Sequence, residues 1–151
     1  MSSDPVARLE YESMVFARHL AGSTRRSGGE LDQSAYVLLT LLQACGPSSI
    51  GDLAATTGLD ASTLNRQTAA LLRNGHAERI TDPDGGVARK FRLTPDGERA
   101  LNEERSASTA ALDAITADWA DDDRAALATL LGNLNMSIEA RVGRSWPRPE
   151  L

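Results

Sequence analysis

The sequence predicts a mainly α-helical domain that carries one small β-hairpin. Three observations lead there. Apolar residues recur at helical spacing in the early and late parts of the 151-residue chain. Two short helices, each with its own N-cap, follow one another across Gly58. A glycine turn at Asp84-Gly85-Gly86 then separates two strand-like runs.

The elements can be justified in order. Val6, Leu9, Ser13, Phe16 and Leu20 trace a first helix, which Gly22, followed by Gly28 and Gly29, is expected to end. Residues 31–44 are apolar nearly all round, as expected of a helix at the centre of a fold, and Gly46-Pro47 stops it. Ser49 followed by Asp52 resembles a capping box and starts a short helix with Ile50, Leu53 and Ala54 inward, closed by Gly58. Asp60 is a second N-cap, its carboxylate placed for the free backbone N–H groups near Ser62 and Thr63. Two capped helices across a glycine turn make a helix-turn-helix.

Projecting the second of these helices at about 100° per residue separates two faces. Leu64, Thr68, Leu71 and Leu72 gather on one side, while Ser62, Arg66, Ala69 and Arg73 lie opposite, with Thr63, Asn65 and Ala70 on the flanks. The outer face is polar, short and basic. Small hydroxyl and alanine positions allow close approach to a major groove; Asn65 suits adenine, and Arg66 suits guanine or a phosphate. Strands are expected at 77–81 and 87–93, and Thr94-Pro95 opens the next helix with threonine as N-cap and proline at the first helical position. Leu101, Ser108, Leu112, Ile115 and Trp119 stripe that helix; Leu127, Leu130, Leu131, Leu134 and Ile138 stripe the last one. Packing on the local core would account for about half of these positions. The rest would stay exposed on a monomer, which predicts a symmetric dimer.

Charge sharpens the reading. The chain is acidic overall, with a formal net charge of -5. Between residues 62 and 92, six basic residues face three acidic ones, whereas between 106 and 139 one basic residue faces six acids. Local charge steers a polyanion more than the total does. Lys90, the only lysine, sits in the basic stretch.

Other chemistry is sparse. A single cysteine, Cys45, rules out an internal disulfide and a cysteine-rich zinc site, and it is expected to be a packed thiol. Asp121-Asp122-Asp123 points in three directions on a helix, so helix capping is a better reading than a metal site. His19 and His76 lack ligand partners at helical spacing. No nucleophile and base pair, phosphate loop or nucleotide fingerprint occurs, so no enzyme and no cofactor are expected. No apolar run is long enough to span a bilayer and no signal peptide is evident, which predicts a cytoplasmic protein.

The order of residues 48–101 resembles the winged helix of the MarR family of bacterial transcription regulators. The resemblance rests on Asp52-Leu53-Ala54, the Ser62-Thr63 to Arg66 spacing, Leu72 to Gly75, Arg79, Asp82-Pro83, and Leu93-Thr94 to Gly97. It implies one domain over 1–151: a winged helix-turn-helix DNA-binding region at 31–99, dimerisation helices at 1–30 and 100–145, and a tail at 146–151. It implies a homodimeric repressor on a pseudo-palindromic operator of double-stranded DNA. Ser62, Thr63, Asn65 and Arg66 would read base edges, with Arg73, Arg89, Lys90 and Arg92 near phosphates. It also implies a small aromatic or anionic effector, with Phe16, His19, Tyr36 and Leu39 as pocket residues. Gly85, Gly86 and Val87 stand where the family commonly has an aspartate followed by one or two arginines, so the usual minor-groove contact is not expected from this wing tip. The runner-up is a protein-interaction winged helix without DNA binding, suggested by the net charge and the altered tip. An enzyme built on Asp122 is a distant third.

Overall fold

The structure, a computed structural model, describes residues 4–23 and 30–149. Six helices and one hairpin follow in the order α1 (Pro5–Ser23), α2 (Gln33–Cys45), α3 (Ile50–Thr57), α4 (Ala61–Arg73), β1 (Ala77–Thr81), β2 (Arg89–Leu93), α5 (Pro95–Ile115) and α6 (Asp121–Val142). The mainly helical class with a small hairpin is therefore the observed one. α1 continues through Gly22 to Ser23, and Gly28 and Gly29 lie outside the described residues. α2 starts two residues after Leu31 because Asp32 is its N-cap, accepting the Ala35 N–H at 2.8 Å. Leu31 instead packs in the core.

The core is centred on α2, which supplies Leu38, Leu39, Leu41 and Leu42. Around it close Leu53 of α3, Leu64 and Leu71 of α4, Ala77 and Phe91 of the hairpin, and Ala100 and Leu101 of α5. Each fully buried leucine stabilises the fold by roughly 1.5–3 kcal/mol relative to an exposed one. β1 and β2 are antiparallel, with Ala77 opposite Leu93 and Thr81 opposite Arg89. β2 begins at Arg89 rather than Val87; residues 82–88 form the wing loop, where the Gly85 N–H donates to the Asp82 carbonyl at 3.0 Å. A third short edge is added by Ser48, which exchanges both backbone hydrogen bonds with Phe91, at 3.0 and 2.8 Å.

The joint between wing and α5 is tight. Thr94 caps α5 by accepting the Gly97 N–H at 3.0 Å, and its own hydroxyl donates to the Gly75 carbonyl at 2.6 Å. A β-carbon on Gly97 would fall 1.9 Å from the His76 carbonyl oxygen. Backbone cannot rotate away as a side chain can, so Gly97→Ala must push α5 off the wing. Such overpacking costs typically about 1–3 kcal/mol, and the upper end is expected here. Urea denaturation with an unchanged midpoint would contradict this joint.

Two further differences from the sequence reading are local. Cys45, expected to be packed, is exposed at the last position of α2. The acids 121–123 occupy the first turn of α6, but none is its cap: the N-cap position is Ala120, with no side-chain hydrogen bond. Their charges suit the positive helix end. Among the described residues, no group of three or more His, Cys, Asp or Glu side chains could hold a metal, and no helix is long and apolar enough to cross a membrane.

The outer helices contrast with this core. α6 has no buried residue at all, and Val6, Leu9, Met14, Phe16 and Leu20 of α1 are exposed. On α5 only the first part is buried: Leu101 belongs to the core, whereas Leu112 and Ile115 are exposed. The local core thus absorbs much less of the late stripes than half.

Candidate nucleic-acid interface

α4 is held in place from within. Leu64, Thr68 and Leu71 are buried, and the Thr68 hydroxyl is satisfied by the Leu64 carbonyl at 2.7 Å. The helix before it begins with the full capping box: the Ser49 hydroxyl accepts the Asp52 N–H at 3.1 Å and the Asp52 carboxylate accepts the Ser49 N–H at 2.9 Å. Gly58, at φ 72°, closes α3 in the left-handed region that favours glycine. Asp60 then caps α4. With its phase fixed by the buried stripe, α4 leaves Ser62, Asn65, Arg66 and Arg73 exposed and Thr63 and Ala69 half-buried.

The cap reaches further than the backbone. The Asp60 carboxylate accepts the Ser62 hydroxyl at 2.6 Å, the Thr63 N–H at 2.8 Å and the Thr63 hydroxyl at 2.9 Å. These bonds, led by that from Ser62, hold its carboxyl well below the usual range, at about 2. A depressed folded-state value means the cap's contribution is complete above the ordinary carboxylate range and is lost as pH falls towards 2. Near neutrality both hydroxyl protons are committed to Asp60. Ser62 and Thr63 therefore offer lone pairs, which match base amino groups, rather than donors. The Asn65 carbonyl accepts the Thr68 hydroxyl at 3.2 Å, but the side chains of Asn65 and Arg66 make no hydrogen bond or ion pair among the described residues. Arg66 borders an open cavity of about 260 Å³ between α2 and α4, with Glu30, Asp32, Ser34, Gln67 and Asn74 also on its wall.

The cations of the wing and of the end of α4 divide into engaged and free. Lys90, 19% exposed, has its ammonium 3.6 Å from Asp82 and 4.0 Å from Asp52, so it ties the wing base to the start of α3. Arg92 is paired across the strands with Glu78, its Nε at 2.9 Å from Oε1. The Arg79 guanidinium lies over the Phe91 ring, 5.5 Å from its centre. Arg89 and Arg73 are exposed and have no ion pair among the described residues. At the tip, Val87 is fully exposed, Gly85 takes φ 82°, and a β-carbon on Gly86 would fall 2.2 Å from Asp82 Oδ2. An added side chain at Gly86 would therefore displace the carboxylate that holds Lys90.

The four residues expected around an effector occupy different settings. Phe16 and His19 are exposed on α1, and Tyr36 packs half-buried against the core. Leu39 has 0% exposure and belongs to the core itself, so it cannot meet a ligand without opening the domain.

A helix-turn-helix with a polar exposed second helix, followed by a hairpin and framed by long helices, defines the class of winged-helix transcription regulators. The comparisons narrow this. Over 140 residues the chain is 31% identical to the HTH-type transcriptional regulator YxaD of Bacillus subtilis (strain 168), covering 91% of this chain and 97% of that protein. A MarR family protein from Bacillus stearothermophilus has the same fold, with a TM-score of 0.79 at 23% identity, covering 91% of this chain and 98% of that one. So does BpsR of Bordetella bronchiseptica, whose DNA binding is regulated by 6-hydroxynicotinic acid, with a TM-score of 0.65 at 21% identity over 89% of this chain and 95% of that one. No protein-family model matches. The chain belongs to the MarR family of winged helix-turn-helix transcription regulators.

Proposed function

We propose that the protein is a homodimeric repressor that lays α4 of each copy into the major groove of a pseudo-palindromic operator. The observation that carries this reading is the face of α4. Four side chains able to bond DNA, Ser62, Asn65, Arg66 and Arg73, project from a helix whose opposite face is locked by Leu64, Thr68 and Leu71. Asn65 and Arg66 are the base-reading pair, because their donors are unspent. Ser62 and Thr63 accept from adenine or cytosine amino groups. Arg73 and Arg89 meet phosphates, with Arg92 able to join them by leaving Glu78.

Selection of bound sequences from a random duplex pool tests the reading directly. Enrichment of an inverted repeat supports it. On the selected site, Arg66→Ala is expected to lower affinity by about 1–3 kcal/mol and to relax preference at one base pair. An unchanged operator affinity would remove Arg66 from the reading set.

Of the cations expected near phosphates, the ion pairs leave Arg89 available and engage Lys90. Arg89→Ala should weaken binding about equally on all sequences and flatten the salt dependence by roughly one unit of slope. Lys90→Ala should leave that slope unchanged, since its charge is spent on Asp82 and Asp52. The opposite pattern in a salt titration would show that Lys90 abandons these carboxylates on binding.

The same neutralised cations favour a second reading, a protein-interaction winged helix without DNA binding. Absence of any salt-dependent binding to duplex DNA would select it. A small anionic aromatic effector, the class that acts on BpsR, fits Phe16, His19 and Tyr36 as contact residues. Thermal shift with such acids, lost in Tyr36→Ala, tests that part.

A further inference from the structure

The short segment after α6 is built as a connection to the reading head. Gly143 ends α6 at φ 69°, and the Arg144 N–H donates back to the Glu139 carbonyl at 3.1 Å, which turns the chain around. Glu139 then gathers the turn. Its Oε2 accepts the Trp146 N–H and Arg148 Nη1, both at 3.0 Å, and its Oε1 accepts Arg148 Nη2; Arg148 Nη1 also reaches the Trp146 carbonyl at 3.1 Å. With the Arg148 bond as the main cause, the Glu139 carboxyl is held down at about 2, so this knot stays ionised across ordinary pH.

The knot aims two side chains at the winged domain. Trp146, half-buried, packs against the buried core cluster. The Arg144 guanidinium covers Gly58 so closely that a β-carbon there would fall 2.6 Å from both Cζ and Nη2. Gly58 is the turn of the helix-turn-helix, two residues before the cap of α4. α6, by contrast, buries none of its own residues.

We propose that residues 143–148 form a strap that fixes the orientation of α4 relative to α6, with Arg144 and Trp146 as positioning residues. In the dimer proposed above, on which this rests, that orientation sets the separation of the two reading helices. Half-sites of this class recur at about one helical turn, roughly 34–36 Å, so a small rotation at Gly58 would misplace both helices on DNA. The strap therefore confers selectivity for operator spacing without touching a base.

The full-length Arg144→Ala/Trp146→Ala double variant and the conservative Trp146→Phe variant test this with two measurements. In free protein, hydrogen exchange of the amides at 57–63 should become roughly tenfold faster in the double variant, with those of α2 unchanged and Trp146→Phe close to wild type. Unchanged exchange at 57–63 overturns the strap, whether or not the protein binds DNA. On operators whose spacer is lengthened or shortened by single base pairs, the double variant should sediment as wild type yet lose most of its preference for the native spacer. An equal loss on every spacer, with the salt slope flattened by about one unit, would overturn the positioning role and make Arg144 a phosphate contact. If wild type binds no duplex at all while exchange responds as expected, the DNA reading fails and the strap stands.

Discussion

Leu64→Asp is expected to abolish cooperative folding. Leu64 is 0% exposed and sits where α4 meets the α2 leucines and the rest of the core cluster. Removing the side chain alone would cost about 2–5 kcal/mol in transfer and cavity terms. A carboxylate in its place adds the desolvation of a charge within a cluster of apolar side chains. The sum is comparable to the roughly 5–15 kcal/mol that holds a typical domain together. Circular dichroism and urea unfolding would read this, with Leu64→Met, costing under about 1.5 kcal/mol, as the volume-conserving control. Asn65→Ala, one residue on and exposed, should fold normally. A soluble Leu64→Asp protein with a wild-type transition would mean that the phase of α4 is misassigned and that Ser62 and Arg66 do not form one outer face.

That phase was legible in the sequence because its determinants are local. Ser49 and Asp52 are three residues apart, Asp60 caps a helix that begins at the next residue, and Gly58 marks a backbone conformation that other residues strain to adopt. The capping box, both helices and the buried stripe of α4 follow from such short-range chemistry. What could not be read depends on partners distant in sequence. Ser48 pairs with Phe91, Lys90 finds Asp52, and Arg144 settles over Gly58. No spacing rule connects these positions.

α2 shows a different limit. A helix apolar nearly all round has no pattern that says which side faces outward, so nothing in the sequence opposes the pocket role that the family resemblance implies for Leu39, which is sealed in the core, or marks Cys45 as the exposed thiol it is. Gly97 is intermediate. Its place in a motif is visible, but the reason, the His76 carbonyl beneath it, appears only when α5 docks on the wing.

Joint replacement of Leu131 and Leu134 by glutamate is expected to separate the proposed dimer and to have the largest effect on operator binding of any change outside α4. The argument starts from exposure. Leu127, Leu130, Leu131, Leu134, Ile138 and Val142 of α6, together with Leu112 and Ile115 of α5 and Val6, Leu9, Phe16 and Leu20 of α1, are all exposed on the single chain. A surface of this extent is far beyond the scattered apolar residues that a monomer normally shows, and a second copy of the same chain can cover it isologously. Leu131 and Leu134 lie three residues apart, so they share a face of α6. Two carboxylates on that face would have to be desolvated when a second copy covers it, which is costly for a charge. Because α6 contributes no residue to the winged-domain core, the fold around α2 should survive the change. Sedimentation at micromolar concentration should therefore show monomers or aggregates that retain α2–α4 structure by hydrogen exchange. Loss of the link between two half-sites should then weaken operator binding by about 10²–10⁴-fold, well beyond the effect of one phosphate contact. A wild-type monomer, or a double variant that stays dimeric and binds normally, would place the partner surface elsewhere than α6.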